Sequence, residues 1–203
     1  MNKGIDVSSF QGEIDFEKVK QSGVDFVIIK AGEKYTESKC FVKNYTKAKA
    51  AGLNVGAYWY SRALSEEEAQ KEAECCIKAI SGKQLEYPIY IDLEEKSQFD
   101  KGTELCSNIV DVFCKALQNA HFYPGLYISR APLQAHISEE VAKNYALWIA
   151  EYASSCGYKG DFGVWQYSGS GSCEGVNGKV DLDYGYVDYP TIIKSGKFNG
   201  FDK

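Results

Sequence analysis

Three carboxylates, Asp92, Glu94 and Glu95, close the run YPIYIDLEEK at residues 87–96, directly after a stretch of apolar residues. Burying an ionised carboxylate without partners is strongly unfavourable, so acids here mark either a strand-to-loop transition or groups held for chemistry. The acid-x-acid spacing alone carries little. With 28 acidic residues in 203, about four such pairs arise by chance. Glu13/Asp15, Glu66/Glu68 and Glu72/Glu74 read as solvated faces or helix-start charges. Asp92 and Glu94 differ in context. Period two along a strand puts both side chains on one face, close enough for one charge to raise the proton affinity of the other. Such an arrangement keeps a general acid protonated near neutral pH beside an ionised neighbour.

The elements that would position these acids alternate from the first residue, which argues for βα units and a largely parallel sheet. The candidate strands are KGIDVSS, FVIIKAGE, NVGAYWYS, PIYIDLEE, PGLYISR, ALWIAEY, FGVWQYS and KVDLDYG. Helical patterns fall near 15–22, 40–51, 65–81 and 102–120, with Ser65 and Glu68 as a capping box and Gly52 as a helix end. After residue 120 only 138–144 reads as helical, and GSGSCEGVNG joins the last two strands as a flexible or hairpin loop. Eight strands with too few helices predict a small, irregular β/α barrel, since a regular one takes about 250 residues. An open doubly wound sheet is the alternative. Strand ends would bring Asp6, Lys30 and Glu33, Tyr58 to Tyr60, Asp92 and Glu94, Tyr127, Trp148 and Tyr152, Trp165 to Tyr167, and Asp181 and Asp183 to one mouth. Acids beside aromatic rings suit a substrate with apolar faces and many hydroxyls, such as a sugar, whose glycosidic bond is cleaved by paired carboxyls or by one acid with substrate help.

Composition narrows the classes. A chain of 203 residues with 44% hydrophobic and 14% aromatic content supports one core, and the whole of 1–203 reads as one domain. A net charge of -5 gives no basic footprint for nucleic acid. No apolar run approaches the roughly 18 residues of a membrane span. MNKGIDVSSF lacks the apolar core of a secretory signal, so the chain reads as soluble, or as a mature form whose signal was removed. The seven cysteines form no CxxC pair and are not grouped with His121 or His136, which argues against zinc. Cys106 and Cys114 read as core residues, both histidines as surface residues, and the pair Cys75–Cys76 has no reading. Ser/His/Asp or Cys/His catalysis is less attractive, because neither histidine lies at a strand end and no GxSxG elbow occurs.

The motifs GIDVSSFQGEIDF, FVIIKAGE, AKAAGLNVGAYWYS, YPIYIDLEE, PGLYIS, LWIAEY, VWQYS and VDLDYG stand in one order over nearly the whole chain. In this the sequence resembles the glycoside hydrolase family 25 lysozymes, the bacterial and phage N-acetylmuramidases. The resemblance implies a TIM-barrel-like fold with eight strands and about five helices. It also implies hydrolysis of the β-1,4 bond between N-acetylmuramic acid and N-acetylglucosamine in peptidoglycan. By motif, Glu94 is the general acid/base, Asp92 its partner, and Asp6 and Asp181 the other active-site carboxylates, Asp181 being chosen over Asp183 on the VD step. Tyr58, Tyr127, Trp148, Trp165 and Gln166 would line the glycan groove. The expected mechanism is net retention with the substrate acetamido group as nucleophile, direct attack by Asp6 or Asp92 being the alternative. The resemblance further implies a monomer acting without metal or cofactor on a peptidoglycan strand, secreted or cell-wall located or released by phage-type lysis.

Two departures stand out. The family often carries a histidine in the third-strand motif where this chain has Trp59, which would either stack on sugar or pack behind the barrel. Glu95 adds an acid that should point to the other face as a solvated end. No repeat follows the barrel motifs, so no wall-binding module is expected within these residues. The rival functions are a non-catalytic glycan-binding module on the same barrel and a hydrolase of another N-acetylated glycan such as chitin.

Overall fold

Residues 1–201 are described by a computed structural model. In chain order the elements are β1 (Asn2–Val7), α1 (Phe16–Gln21), β2 (Phe26–Glu33), β3 (Thr36–Glu37), α2 (Phe41–Ala50), β4 (Asn54–Tyr60), α3 (Glu66–Ile80) and β5 (Ile89–Asp92). They continue as α4 (Lys96–Phe99), α5 (Thr103–Asn119), β6 (Pro124–Ser129), α6 (Arg130–His136), α7 (Glu139–Asn144), β7 (Ala146–Ala150), β8 (Val164–Gly171), β9 (Val180–Gly185) and α8 (Tyr189–Ser195).

The sheet runs β1-β9-β8-β7-β6-β5-β4-β2-β3, and a further β1–β2 pairing closes it. The irregular β/α barrel expected from the strand count is therefore the fold, and the open sheet is excluded. The two-residue β3 folds back on β2 outside the ring. Period two along the strands sorts side chains between two cores. Val27, Ile29, Val55, Ala57, Ile89, Ile91, Leu126, Ile128, Leu147 and Ile149 face outward to the helices. Phe26, Ile28, Tyr90, Tyr127, Trp148 and Val164 fill the interior. Bulky rings inside require small neighbours: a Cβ on Gly125 would lie 2.5 Å from the Tyr90 ring, and one on Gly4 2.2 Å from that of Phe26.

Helix α3 begins where Ser65 accepts from the Glu68 amide, but the Glu68 carboxylate reaches back to the Leu64 amide, one residue before the cap. Gly52 ends α2 at φ 75°, as its position suggested. Cys76, Ala73 and Ile80 of α3 pack in the same core as Ile109, Phe113 and Leu117 of α5. Each large apolar side chain buried there contributes about 1.5–3 kcal/mol. Cys106 and Cys114 are core residues as expected, and all seven cysteines are free thiols.

Two expectations need correction. Eight α-helices are present among the described residues instead of about five, the additions being α4, α6 and α8, of 4, 7 and 7 residues. Helices this short carry too few turns for a periodic signal and are stabilised by packing and caps. In α8 the cap is Asp188, which accepts from the Thr191 amide, with Pro190 in the first turn. The second correction concerns the expectation that the end of the last strand brings Asp181 and Asp183 to the mouth: GSGSCEGVNG closes a hairpin, one of its two expected forms, and β9 runs antiparallel to both β1 and β8. Reversal turns the start of β9, not its end, toward the mouth.

Candidate active site

The mouth collects carboxylates from β1, β5 and β9. Asp6 lies directly across from Asp181 in the antiparallel ladder, while Asp183 pairs with Gly4 one step deeper. Asp92 ends β5 beside Tyr60 and Tyr127. Glu94 lies just past the last hydrogen-bonded residue of that strand, where the Leu93 amide still donates to the Tyr127 carbonyl at 3.1 Å. Alternation thus carries over to Glu94 although the strand has ended: Leu93 packs outward and Asp92 inward.

The carboxyls fall into two groups. Asp92 is 3% exposed, and its Oδ1 meets no N–H or O–H donor. The Glu94 carboxyl lies close by, and two carboxyls can share a hydrogen bond only when one of them carries a proton. Burial first, then the charge of Glu94, drives the proton affinity of Asp92 well above the carboxylate range. Glu94, with an edge open to solvent, is raised by partial desolvation and by Asp181 and Glu95, while its bond to Asp92 opposes the rise. Both carboxyls are thus held above the ordinary carboxylate range, Asp92 by burial first and Glu94 by partial desolvation first.

The second group is Asp6, Asp181 and Asp183. Asp183 is 1% exposed and accepts from Trp148 Nε1 at 2.8 Å through Oδ1, while Oδ2 lacks a donor. The Asp6 carboxyl lies close to those of both Asp181 and Asp183, whose charges raise its proton affinity after burial has done so. Desolvation raises all three, Asp183 to about 8. Gln166 completes the set: its Nε2 donates to Asp6 Oδ2 at 2.8 Å, and its Oε1 accepts from the Tyr127 and Tyr152 hydroxyls at 2.8 and 3.0 Å.

The aromatic residues separate by face. Tyr58, Tyr90 and Tyr127 pack around Trp148 with ring centroids 6.0, 5.2 and 4.3 Å away. Trp148 is 1% exposed and forms the floor of the mouth, leaving little surface for stacking. Trp165 alternates with the inward Gln166, so it faces outside, against Tyr167 and Tyr184, and donates to the Glu151 carbonyl. It covers the hairpin flank where no helix packs and does not line the mouth. Tyr152, which had been noted only as a strand end, is 64% exposed with its hydroxyl fixed on Gln166, and offers the open ring that the two tryptophans do not.

Trp59 packs behind the barrel, fully buried, with Nε1 donating to the Lys34 carbonyl at 3.0 Å. Glu95 is not a solvated end: it accepts from Tyr60 Oη at 2.9 Å and from Arg62 at 2.6 Å. Glu72, read from spacing as a surface charge, is fully buried in α3, where it accepts from the Arg62 amide at 2.9 Å. His121 lies at the surface, and the partly covered His136 stacks on Phe99.

A closed eight-stranded barrel with paired carboxyls at its mouth defines a class of small β/α-barrel proteins with acid-based sites. The model of the glycosyl hydrolases family 25 matches residues 5–176, and the chain belongs to that family. The autolytic lysozyme of Clostridium acetobutylicum is 37% identical over 183 residues, 89% of this chain and 55% of the relative. The modular autolysin LytC from Streptococcus pneumoniae, solved in complex with synthetic peptidoglycan ligand, superposes with a TM-score of 0.84 at 26% identity, over 91% of this chain and 46% of its own. The chain thus spans about half the length of these two proteins. The bacterial lysozyme from Streptomyces coelicolor shares the fold, with a TM-score of 0.78 at 24% identity over 92% of both chains.

Proposed function

We propose that the protein is a peptidoglycan hydrolase of the muramidase type, cleaving the β-1,4 bond between N-acetylmuramic acid and N-acetylglucosamine. The observation that carries this reading is the Asp92–Glu94 pair in a member of family 25: two neighbouring carboxyls, one buried and one open to the mouth, each with its proton affinity raised. Glu94 is the general acid. Its open edge lets it reach a glycosidic oxygen, and substrate that excludes water raises its proton affinity further. As positive charge develops on the sugar ring, ionised Asp92 is favoured, and Glu94 delivers its proton to the leaving oxygen. The acetamido oxygen of the substrate attacks the anomeric carbon, and Glu94 then takes a proton from the incoming water, giving net retention.

Asp6, held by Gln166, and Asp181 flank the bond from the other wall. Tyr58 and Tyr152 form the sugar-contacting surface, with Tyr127, Gln166 and Trp148 beneath it. The substrate partner is the glycan strand, met by a monomeric single domain at the cell wall, after export or lysis. No helix among the described residues is long and apolar enough to cross a membrane. The acids that a non-catalytic binding module would lose, Asp6, Asp92, Glu94 and Asp181, are all in place.

The test is product analysis on purified peptidoglycan. New reducing ends on muramic acid are expected with the β-anomer formed first, and Glu94→Gln should lower kcat by about 10²–10⁴-fold with little change in KM. Reducing ends on glucosamine, equal cleavage of chitin oligomers, or a Glu94→Gln protein as active as the parent would each sink the reading.

A further inference from the structure

Beside the acid site, between the β2–β3 hairpin and the loop after β4, lies a cleft of about 480 Å³. Its walls carry Lys30, Lys34, Lys39 and Arg62 against Glu33 and Glu37, four cations to two carboxylates, in a chain of net charge -5. Lys30 belongs to both places, since its charge also acts on Asp92 and Glu94. Glu33 is shared by Lys30 at 2.7 Å and Arg62 at 2.6 Å, and Arg62 also reaches Glu95. Lys34 and Lys39 have no carboxylate partner among the described residues, Lys34 resting instead over the Tyr35 ring.

The wall that carries Lys34 is clamped. Lys34 sits at the hairpin tip with φ 50°, its amide donating to the Tyr60 carbonyl at 3.1 Å and its carbonyl accepting from Trp59. The Trp59 ring occupies space that opens only because residue 32 is glycine: a Cβ there would lie 2.3 Å from the ring. The tryptophan that departs from the family motif thus fixes a cationic surface next to the acids.

We propose that this cleft receives the carboxylate-bearing peptide substituent of the sugar held at Asp92 and Glu94, so that the protein selects peptide-substituted over bare glycan. The inference rests on the muramidase reading. In that reaction the bond broken is at C1 of muramic acid, so the ring that meets the acids is the one that bears the lactyl-linked peptide. Its carboxylates need cations nearby that are not already paired, and Lys34 and Lys39 meet that need.

The experiment compares initial rates on soluble glycan strands of equal length, with peptides intact or removed by an amidase. The parent protein should show a KM about three- to tenfold lower for the peptide-bearing strand. Lys34→Glu/Lys39→Glu should abolish that difference while leaving kcat on bare glycan unchanged, and Lys34→Arg/Lys39→Arg should keep it. Equal KM values for the parent, or a preference that survives charge reversal, overturns the inference while hydrolysis of bare glycan still upholds the muramidase reading. A soluble glycerol phosphate polymer that removes the preference where free stem peptide does not would assign the cleft to wall phosphate and likewise overturn it. Cleavage of neither strand would overturn both.

Discussion

Asp183 shows how one buried residue couples the barrel interior to the site. It lies a step below the Asp6–Asp181 pair, and the Trp148 indole N–H satisfies one of its oxygens while the other has no donor. Desolvation raises its pKa to about 8, so at neutral pH it is a neutral donor. The form that stabilises the fold is the protonated one, whose contribution is complete below the ordinary value near 3.8 and is lost as pH rises through 8. Deprotonation puts a charge against the Trp148 indole. Tryptophan emission should therefore change with a midpoint about 8, and the change should be missing in Asp183→Asn, whose amide oxygen can still accept from Trp148. A parent protein with flat emission between pH 6 and 10 would refute the assignment. The VD step had selected Asp181 over its neighbour, but it could not show that Asp183 belongs to the same group.

At the scale of elements, the loop from β4 to α3 and the segment from β5 to α4 share one buried polar brace. The Ser61 amide donates to the Asp92 carbonyl, Gln98 Nε2 donates to Ser61 Oγ and the Ala63 carbonyl, and Gln98 Oε1 accepts from the Glu95 amide. Glu72 underlies this brace from α3, with Oε2 buried and lacking a donor, and burial raises its pKa to about 7. The raised value fixes the sign: protonated Glu72 stabilises the fold fully below about 4.5, and that contribution is lost as pH climbs through 7. Glu72→Gln mimics the neutral form, so its stability relative to the parent should rise by about 2–3 kcal/mol between pH 4.5 and 8. Urea titrations of both proteins across that range measure the difference directly, and a constant offset would contradict it. What sequence showed at this scale was uneven, for physical reasons. The eight strands stand out because alternation between two buried environments leaves a strong period-two signal. The same alternation, applied from Gln166, would have turned Trp165 outward. The direction of β9 left no mark in the alternation, since period two has no polarity, and the Gly-rich GSGSCEGVNG, open to a hairpin or a flexible loop, was its only trace. Glu72 looked like a surface charge because spacing records which face of a helix a residue occupies, not whether another helix or loop covers it.

For the molecule as a whole, closure ties the chain's first strand to its last: residues 4–7 pair with β2 while 2–6 pair with β9. The mouth is thereby a single rim to which distant segments contribute, and its local charge differs from that of the surface around it. The whole carries -5 with a pI near 5.2, whereas the cleft beside the acids has an excess of cations. These two fields should respond oppositely to salt. At about 10 mM ionic strength the Debye length is about 30 Å, long enough for the net negative charge to oppose approach to an anionic wall. At about 150 mM it shrinks to about 8 Å, and that repulsion is screened. Initial rates on intact walls should consequently rise about two- to fivefold over this range, while rates on short peptide-free glycan fragments, which carry only their few lactyl carboxylates, change much less. Clearing of wall suspensions, followed beside fragment hydrolysis in the same buffers, reads both. A steady fall with salt on walls would mean that the cationic cleft, not the net charge, governs the encounter.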